Sequence, residues 1–210
     1  MVRIILALLS GLAVGLAFGL SAGSTSLLGA VLPHERMKEQ AVYQGKPATF
    51  WIRQLQDRDP SFRRQAMWAL AHLGPGQEGA VRALAEMLND GNEGVRSGAA
   101  WALGRMGPEA ESTVPQLIVA LRDQDQFVRL AAVYALASIC PHDDAVLAAL
   151  SSAVWDENPV VRRRTLNKIA EIGPRALAAL AAVDEALKDS DPEVRQAAAD
   201  ALDKIKKRPE

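Results

Sequence analysis

Asp57-Arg58-Asp59-Pro60-Ser61-Phe62-Arg63, with Ala66, Ala69 and Leu70 behind it, is one copy of a pattern that runs through most of the chain. Its arginine returns as Arg96, Arg129, Arg162 and Arg195, at a constant spacing of 33 residues. An apolar residue precedes each one: Phe62, Val95, Val128, Val161 and Val194. The aspartates Asp57, Asp90, Asp123, Asp156 and Asp189 keep the same spacing, as do Leu70, Leu103, Leu136, Ile169 and Leu202. Gly74-Pro75, Gly107-Pro108, Cys140-Pro141 and Gly173-Pro174 punctuate it in phase. Several columns held in register at a period of this length are the signature of a solenoid or array.

Each unit reads as two helices. Val81, Leu84, Ala85 and Leu88 fall at i, i+3, i+4 and i+7, the apolar face of a first helix. The second helix starts after a capping residue (Asp59, Asn92, Asp125, Asn158 or Asp191), with Pro60, Pro159 and Pro192 at the first helical position, where a missing N–H costs nothing. Val95, Ala99, Ala102, Leu103 and Met106 form its buried stripe, and Gly-Pro ends it. Period-two alternation is absent, so a strand-based repeat is not expected. A single helix pair cannot bury its apolar faces alone, so the units must stack. The expected fold is all-α: a right-handed α-solenoid of five helix-pair repeats, at about 48–77, 78–110, 111–143, 144–176 and 177–208, preceded by an N-terminal hydrophobic helix.

The signature, clearest at Asp57–Leu70 and at Asp189-Ser190-Asp191-Pro192-Glu193-Val194-Arg195 with Ala198, Ala201 and Leu202, resembles a HEAT repeat. It is similar to the short kind also found in phycobilisome bilin lyases. Tyr43-Gln44-Gly45-Lys46-Pro47, followed by Trp51, resembles the lead-in to the first repeat of exported or membrane-tethered bacterial HEAT proteins. The fourth unit departs most, with Thr165 and Lys168 where other units carry alanine.

Ahead of the repeats, Ile4 to Pro33 holds no charged residue, longer than the ~20 residues a membrane-spanning helix needs. Residues 1–33 read as a signal peptide, with Arg3 as its positive end and a cleavage point after Ser21-Ala22-Gly23, or as an uncleaved anchor through residues 4–32. The length of the apolar run favours the anchor. Either route places the repeats outside the cytoplasm, in the periplasm or at the cell surface, or secreted if the segment is cleaved. Gly11, Gly15, Gly19 and Gly23 form a small-residue stripe on such a helix, which either admits a second membrane helix or reflects the ordinary abundance of glycine there. Residues 34–47 read as a linker.

Twenty-four Lys and Arg against 25 Asp and Glu offer no field for steering a polyanion, so no nucleic-acid partner is expected. One cysteine, Cys140, excludes a disulfide within the chain. No Ser/His/Asp set, HExxH motif or phosphate loop is present, and His142-Asp143-Asp144 reads as a helix cap rather than a metal site. The sequence therefore predicts a chain that is not an enzyme and takes no cofactor, metal or small-molecule substrate.

In HEAT-like repeats the Asp and Arg columns resemble an internal network. That assigns Asp57, Arg63, Asp90, Arg96, Asp123, Arg129, Asp156, Arg162, Asp189 and Arg195 to structure. The aromatic column Trp68, Trp101 and Tyr134, which becomes Asn167 and then Asp200, differs. Trp101 lies about 120° from the centre of the buried stripe, so it is expected at the surface. Second helices of HEAT-type stacks line the concave side, where exposed aromatics would anchor a protein or peptide; the alternative is that the rings fill grooves between helices. Arg105 flanks Trp101, and Arg163 and Arg164 add surface charge. The leading expectation is an exported, membrane-tethered interaction scaffold that binds a protein or peptide at its membrane-proximal half. The alternative is a bilin-lyase-like or chaperone-like protein handling a tetrapyrrole, which the resemblance implies.

Overall fold

The structure, a computed structural model, describes residues 41–77 and 79–207. The apolar segment 4–32, the first half of the linker and the predicted N-terminal helix lie outside the described residues. No described helix is long and apolar enough to cross a membrane.

The chain enters through a short antiparallel hairpin within the expected linker. Strands β1 (Val42–Tyr43) and β2 (Lys46–Pro47) pair Val42 with Pro47 and Tyr43 with Lys46. Gln44 and Gly45 between them have φ of 50° and 71°. Two successive positive φ values give the turn whose twist matches that of a hairpin. The Tyr43 ring sits edge-on to Trp51 at 5.9 Å, so the hairpin covers the open end of the helical stack.

Ten α-helices follow among the described residues. Short first helices α1 (Ala48–Gln54), α3 (Ala80–Glu86), α5 (Val114–Ala120), α7 (Asp144–Ala153) and α9 (Leu180–Ala186) alternate with longer second helices. The second helices are α2 (Pro60–Leu73), α4 (Glu93–Met106), α6 (Gln126–Ile139), α8 (Pro159–Ile172) and α10 (Pro192–Lys206). Every second helix starts on a side-chain cap. Asp59 accepts from the Ser61 N–H, Asn92 from Val95, Asp125 from Phe127 and Val128, Asn158 from Val160, and Asp191 from Glu193 and Val194. These caps satisfy backbone donors that have no partner inside the helix. Asp143 caps α7 in the same way, through the Val146 N–H. Gly74, Gly107 and Gly173 end α2, α4 and α8 at φ of 74°, 63° and 68°, a conformation that favours glycine.

The core is one all-α repeat solenoid of stacked helices. Ala66, Ala99, Ala132 and Ala198 are fully buried where successive second helices meet, and their small size sets the spacing of that layer. Helices α4 and α6 approach closely: a Cβ placed on Gly104 would lie 2.9 Å from the Ala135 Cα. The ends of the stack show what a missing neighbour does. Val95, Val128, Val161 and Val194 are buried, but Phe62 in the same column of the first unit is 49% exposed. At the other end Leu202 is only half-buried, whereas Leu70, Leu103, Leu136 and Ile169 are fully buried.

Candidate functional site

Two sets of columns lie on the second helices and the loops that lead into them, and the geometry separates them. In the first, each loop aspartate accepts from a backbone N–H two residues on: Asp90 from Asn92, Asp123 from Asp125, Asp156 from Asn158 and Asp189 from Asp191. Each arginine places Nη1 on two carbonyls of its own loop, as Arg129 does on those of Asp123 and Gln124. Its remaining nitrogens cross to the aspartate of the next unit. Arg63 reaches Asp90 at 2.8 Å, while Arg96 with Asp123, Arg129 with Asp156 and Arg162 with Asp189 are two-pronged at 2.7–2.9 Å. The network thus runs between units, along the stack. Hydrogen bonds from Arg96 and Arg162 hold the carboxyls of Asp123 and Asp189 below the usual carboxylate range. The same pairing raises Arg96 and Arg129. Arg129, its side chain only 7% exposed, spends Nε, Nη1 and Nη2 on protein acceptors, including Glu157. Such guanidiniums have little left to offer a ligand. The terminal members differ: Asp57 accepts from Gln54 and Asp59, and Arg195 bonds only the carbonyls of Asp189 and Ser190 among the described residues.

The second set is aromatic. Trp68 and Trp101 stack with ring centroids 4.9 Å apart and planes 8° from parallel. Trp68 is half exposed and Trp101 partly so. The pair therefore packs together and still presents ring surface to solvent, combining the two alternatives for this column. His72 extends the stack: its ring lies 4.4 Å from Trp68 and 5.4 Å from Tyr43, and its Nδ1 is 2.7 Å from the Trp68 carbonyl oxygen. Through Tyr43 the row continues to Trp51 and Phe50. Tyr134 is separated from this row in character. Lys168 lies 4.6 Å over its ring and also holds Glu171, so the residue that breaks the alanine column caps the aromatic one. Thr165, the other departure in the fourth unit, is buried with its hydroxyl donating to the Val161 carbonyl.

Three residues of this face were missing from the sequence reading. Phe127 is 63% exposed, Val160 43% exposed and Leu130 half-buried. They stand one to two turns before the aromatic column, in columns that hold Ser61, Gly94, Arg64 and Ser97 in the first two units. The i, i+3, i+7 spacing of Phe127 and Leu130 to Tyr134, outside the buried stripe, and the place of Val160 one repeat after Phe127 were the available signal. Of the flanking charges, Arg105 and Arg164 are exposed and make no ion pair among the described residues, whereas Arg163 is paired with Glu193. Burial and the nearby Glu111 and Asp143 push the Cys140 thiol up, which keeps it protonated and poorly nucleophilic. No cluster of metal-ligating side chains is present among the described residues.

HEAT repeats are the family whose pattern matches residues 48–137 and 144–210. The chain belongs to the HEAT-repeat family. No curated protein sequence matches it. Among solved structures it is similar to the complex of CpcE and CpcF of phycocyanin lyase from Nostoc sp. PCC7120, at 26% identity and a TM-score of 0.64, over 82% of this chain and 69% of that one. A designed armadillo repeat protein in complex with the peptide (KR)4 matches at 22% identity and a TM-score of 0.56, over 74% of this chain and 80% of that one, which shows a shared fold. An engineered protein matches at 23% identity and a TM-score of 0.56, over 76% of this chain and 79% of that one.

The lyase relative corrects two expectations. A HEAT-type stack of this architecture belongs to a protein named as an enzyme, so neither the inference that the chain is not an enzyme nor the exclusion of a small-molecule substrate stands. The physical reason is the solenoid itself. It brings together residues 33 apart, such as Trp68 and Trp101, and a site assembled that way leaves no contiguous motif to find.

Proposed function

We propose that this HEAT/armadillo-type interaction module works in the manner of a bilin lyase subunit, holding a tetrapyrrole on its second-helix layer. The observation that carries this reading is the half-exposed Trp68–Trp101 stack, on a chain whose likeness to the phycocyanin lyase complex spans most of its length. A tetrapyrrole is a conjugated, largely planar ligand with carboxylate side arms. Stacked indoles supply a flat platform for the rings. Arg105, one turn beyond Trp101 and exposed, supplies a guanidinium for a carboxylate. Biliverdin titrated into the full-length chain should shift its long-wavelength absorbance and quench tryptophan emission. Trp101→Ala should weaken that binding about tenfold or more, a loss typical of an anchor residue. An unchanged biliverdin spectrum in the presence of excess chain would sink the proposal.

A second reading rests on Phe127, Leu130 and Val160, which carry the apolar surface past the tryptophans and so suit an extended protein partner. In that reading the chain is a right-handed, five-repeat stack whose partner binds the concave side, tethered through residues 4–32 and facing away from the cytoplasm. The close approach of α4 and α6 at Gly104 supports the second helices lying inside the curve, and the charge-free run from Ile4 to Pro33 supports the tether. Protease added to intact cells should then digest the repeats. Crosslinked capture from membranes by the full-length chain should fail for Trp68→Ala and Trp101→Ala if the column is the anchor.

A further inference from the structure

The repeat supplies its own control for what each surface position needs, and two positions on the first-helix layer violate it. Val119, in α5, is 70% exposed, yet its column holds Arg53, Glu86, Ser152 and Glu185 in the other units. Trp155, just after α7, is 55% exposed in a column that holds Gln56, Asn89, Arg122 and Lys188. Four of five units fold with polar residues at each place, so the fold does not require an apolar one.

The two departures line adjoining clefts. Ile118, Leu121, Ala149, Ser152 and Trp155 line a cleft of about 180 Å³ between the third and fourth units. Leu88, Gln116, Ile118 and Val119 line a second, of about 700 Å³, between the second and third. Ile118 and Arg122 border both, so the clefts join into one groove. Its charges are uneven. The carboxylates at its edges, Asp123 and Asp156, are already held by Arg96 and Arg129. The Arg122 side chain is exposed and makes no hydrogen bond or ion pair among the described residues. The groove therefore offers apolar walls and one uncommitted cation.

We propose that this groove docks an acidic amphipathic segment of a partner protein, with apolar side chains against Val119 and Trp155 and a carboxylate on Arg122. Exposed tryptophan beside arginine is the composition of an interface anchor, and the uncommitted guanidinium selects the sign of the partner. The groove lies on the first-helix layer, away from the tryptophan stack, and does not depend on the function proposed above.

The test uses the full-length chain and two labelled synthetic helical peptides. Both carry Leu and Phe on one face; one has Glu and the other Lys on the flanks. Fluorescence anisotropy should show the Glu peptide binding at least about tenfold more tightly than the Lys peptide. The double variant Val119→Glu/Trp155→Lys should lose about tenfold or more of that affinity, and Arg122→Asn should bring the two peptides closer together. These replacements are the residues the repeat itself uses as Glu86, Lys188 and Asn89, so an unchanged thermal midpoint is expected and guards against misfolding. Failure of the Glu peptide to bind, equal binding of both peptides, or full affinity in the double variant overturns the proposal. So does self-association of the chain that the double variant abolishes, because the occupant would then be a second copy.

Discussion

The arginines of the Arg/Asp ladder and the aromatic column sit on the same second helices, yet one repeats along the stack and the other changes. From Arg63–Asp90 to Arg162–Asp189 the ladder repeats one bond between each unit and the next. The row goes from Trp68 and Trp101 to a Tyr134 covered by Lys168, then to Asn167 and Asp200. Identical interfaces need identical bonds, because each unit must satisfy the same loop carbonyls and the same desolvated carboxylate. A ligand is not periodic, so the surface that meets it loses the period. Departure from the repeat at an exposed position is therefore more informative about function than agreement with it.

The sharpest way to break this contrast is in the middle of the ladder. Arg129→Ala strips the partner from Asp156, whose side chain is 7% exposed, and should cost about 3–5 kcal/mol by urea unfolding. Arg195→Ala, in the same column but at the open end, should cost under about 1 kcal/mol, since it releases only exposed carbonyl bonds. Equal losses at the two positions would mean that the crossing bond is not what the ladder contributes.

Glycines test the spacing of the layer with a smaller effect. Gly104→Ala puts a methyl 2.9 Å from the Ala135 Cα, which is backbone, and should destabilise by about 1–3 kcal/mol in thermal melts. Gly98→Ala meets the end of the unbranched Met67 side chain, with Cε at 3.0 Å, and should come out near neutral, because the gain in helix propensity of roughly 1 kcal/mol offsets a side-chain shift.

The ladder also sets the acid limb of stability. Folded Asp123 and Asp189 hold their protons less tightly than they would unfolded. Their contribution is complete above the ordinary aspartate pKa of about 3.9 and is lost as the pH falls from there toward the folded value. Urea midpoints should fall steeply below about pH 4, and Asp123→Asn should lower the neutral-pH midpoint while flattening that fall. An unaltered slope in the variant would remove Asp123 from the account.

The aromatic side should weigh less in stability than the middle of the ladder. Trp68→Ala should cost about 0.5–1.5 kcal/mol for the lost stacking, beyond the area it buries, and leave the ladder intact. Binding, not unfolding, is where that variant should show its larger effect.

Most of the fold was legible in the sequence because it is made of local signals in phase. The caps from Asp59 to Asp191 and the glycines that end α2, α4 and α8 stand where the 33-residue spacing put them. The hairpin at 42–47 was not legible: two-residue strands carry no periodicity, and only Gln44-Gly45 marks the turn. The candidate site was legible by column but not by contact. Trp68, Trp101 and Tyr134 could be aligned, whereas the contacts of His72 with Trp68 and Tyr43, and the covering of Tyr134 by Lys168, needed coordinates.

The sequence alone determined that the chain is a stack of helix pairs with a fixed period, since capping, termination and apolar spacing are local properties of each unit. Only the tertiary structure decided which partner each periodic residue takes. A period of 33 is equally compatible with an arginine bonding its own loop, its own aspartate or the next one. The stacking distance set by the alanines and Gly104 selects the next, and the same distance brings two tryptophans from successive units face to face.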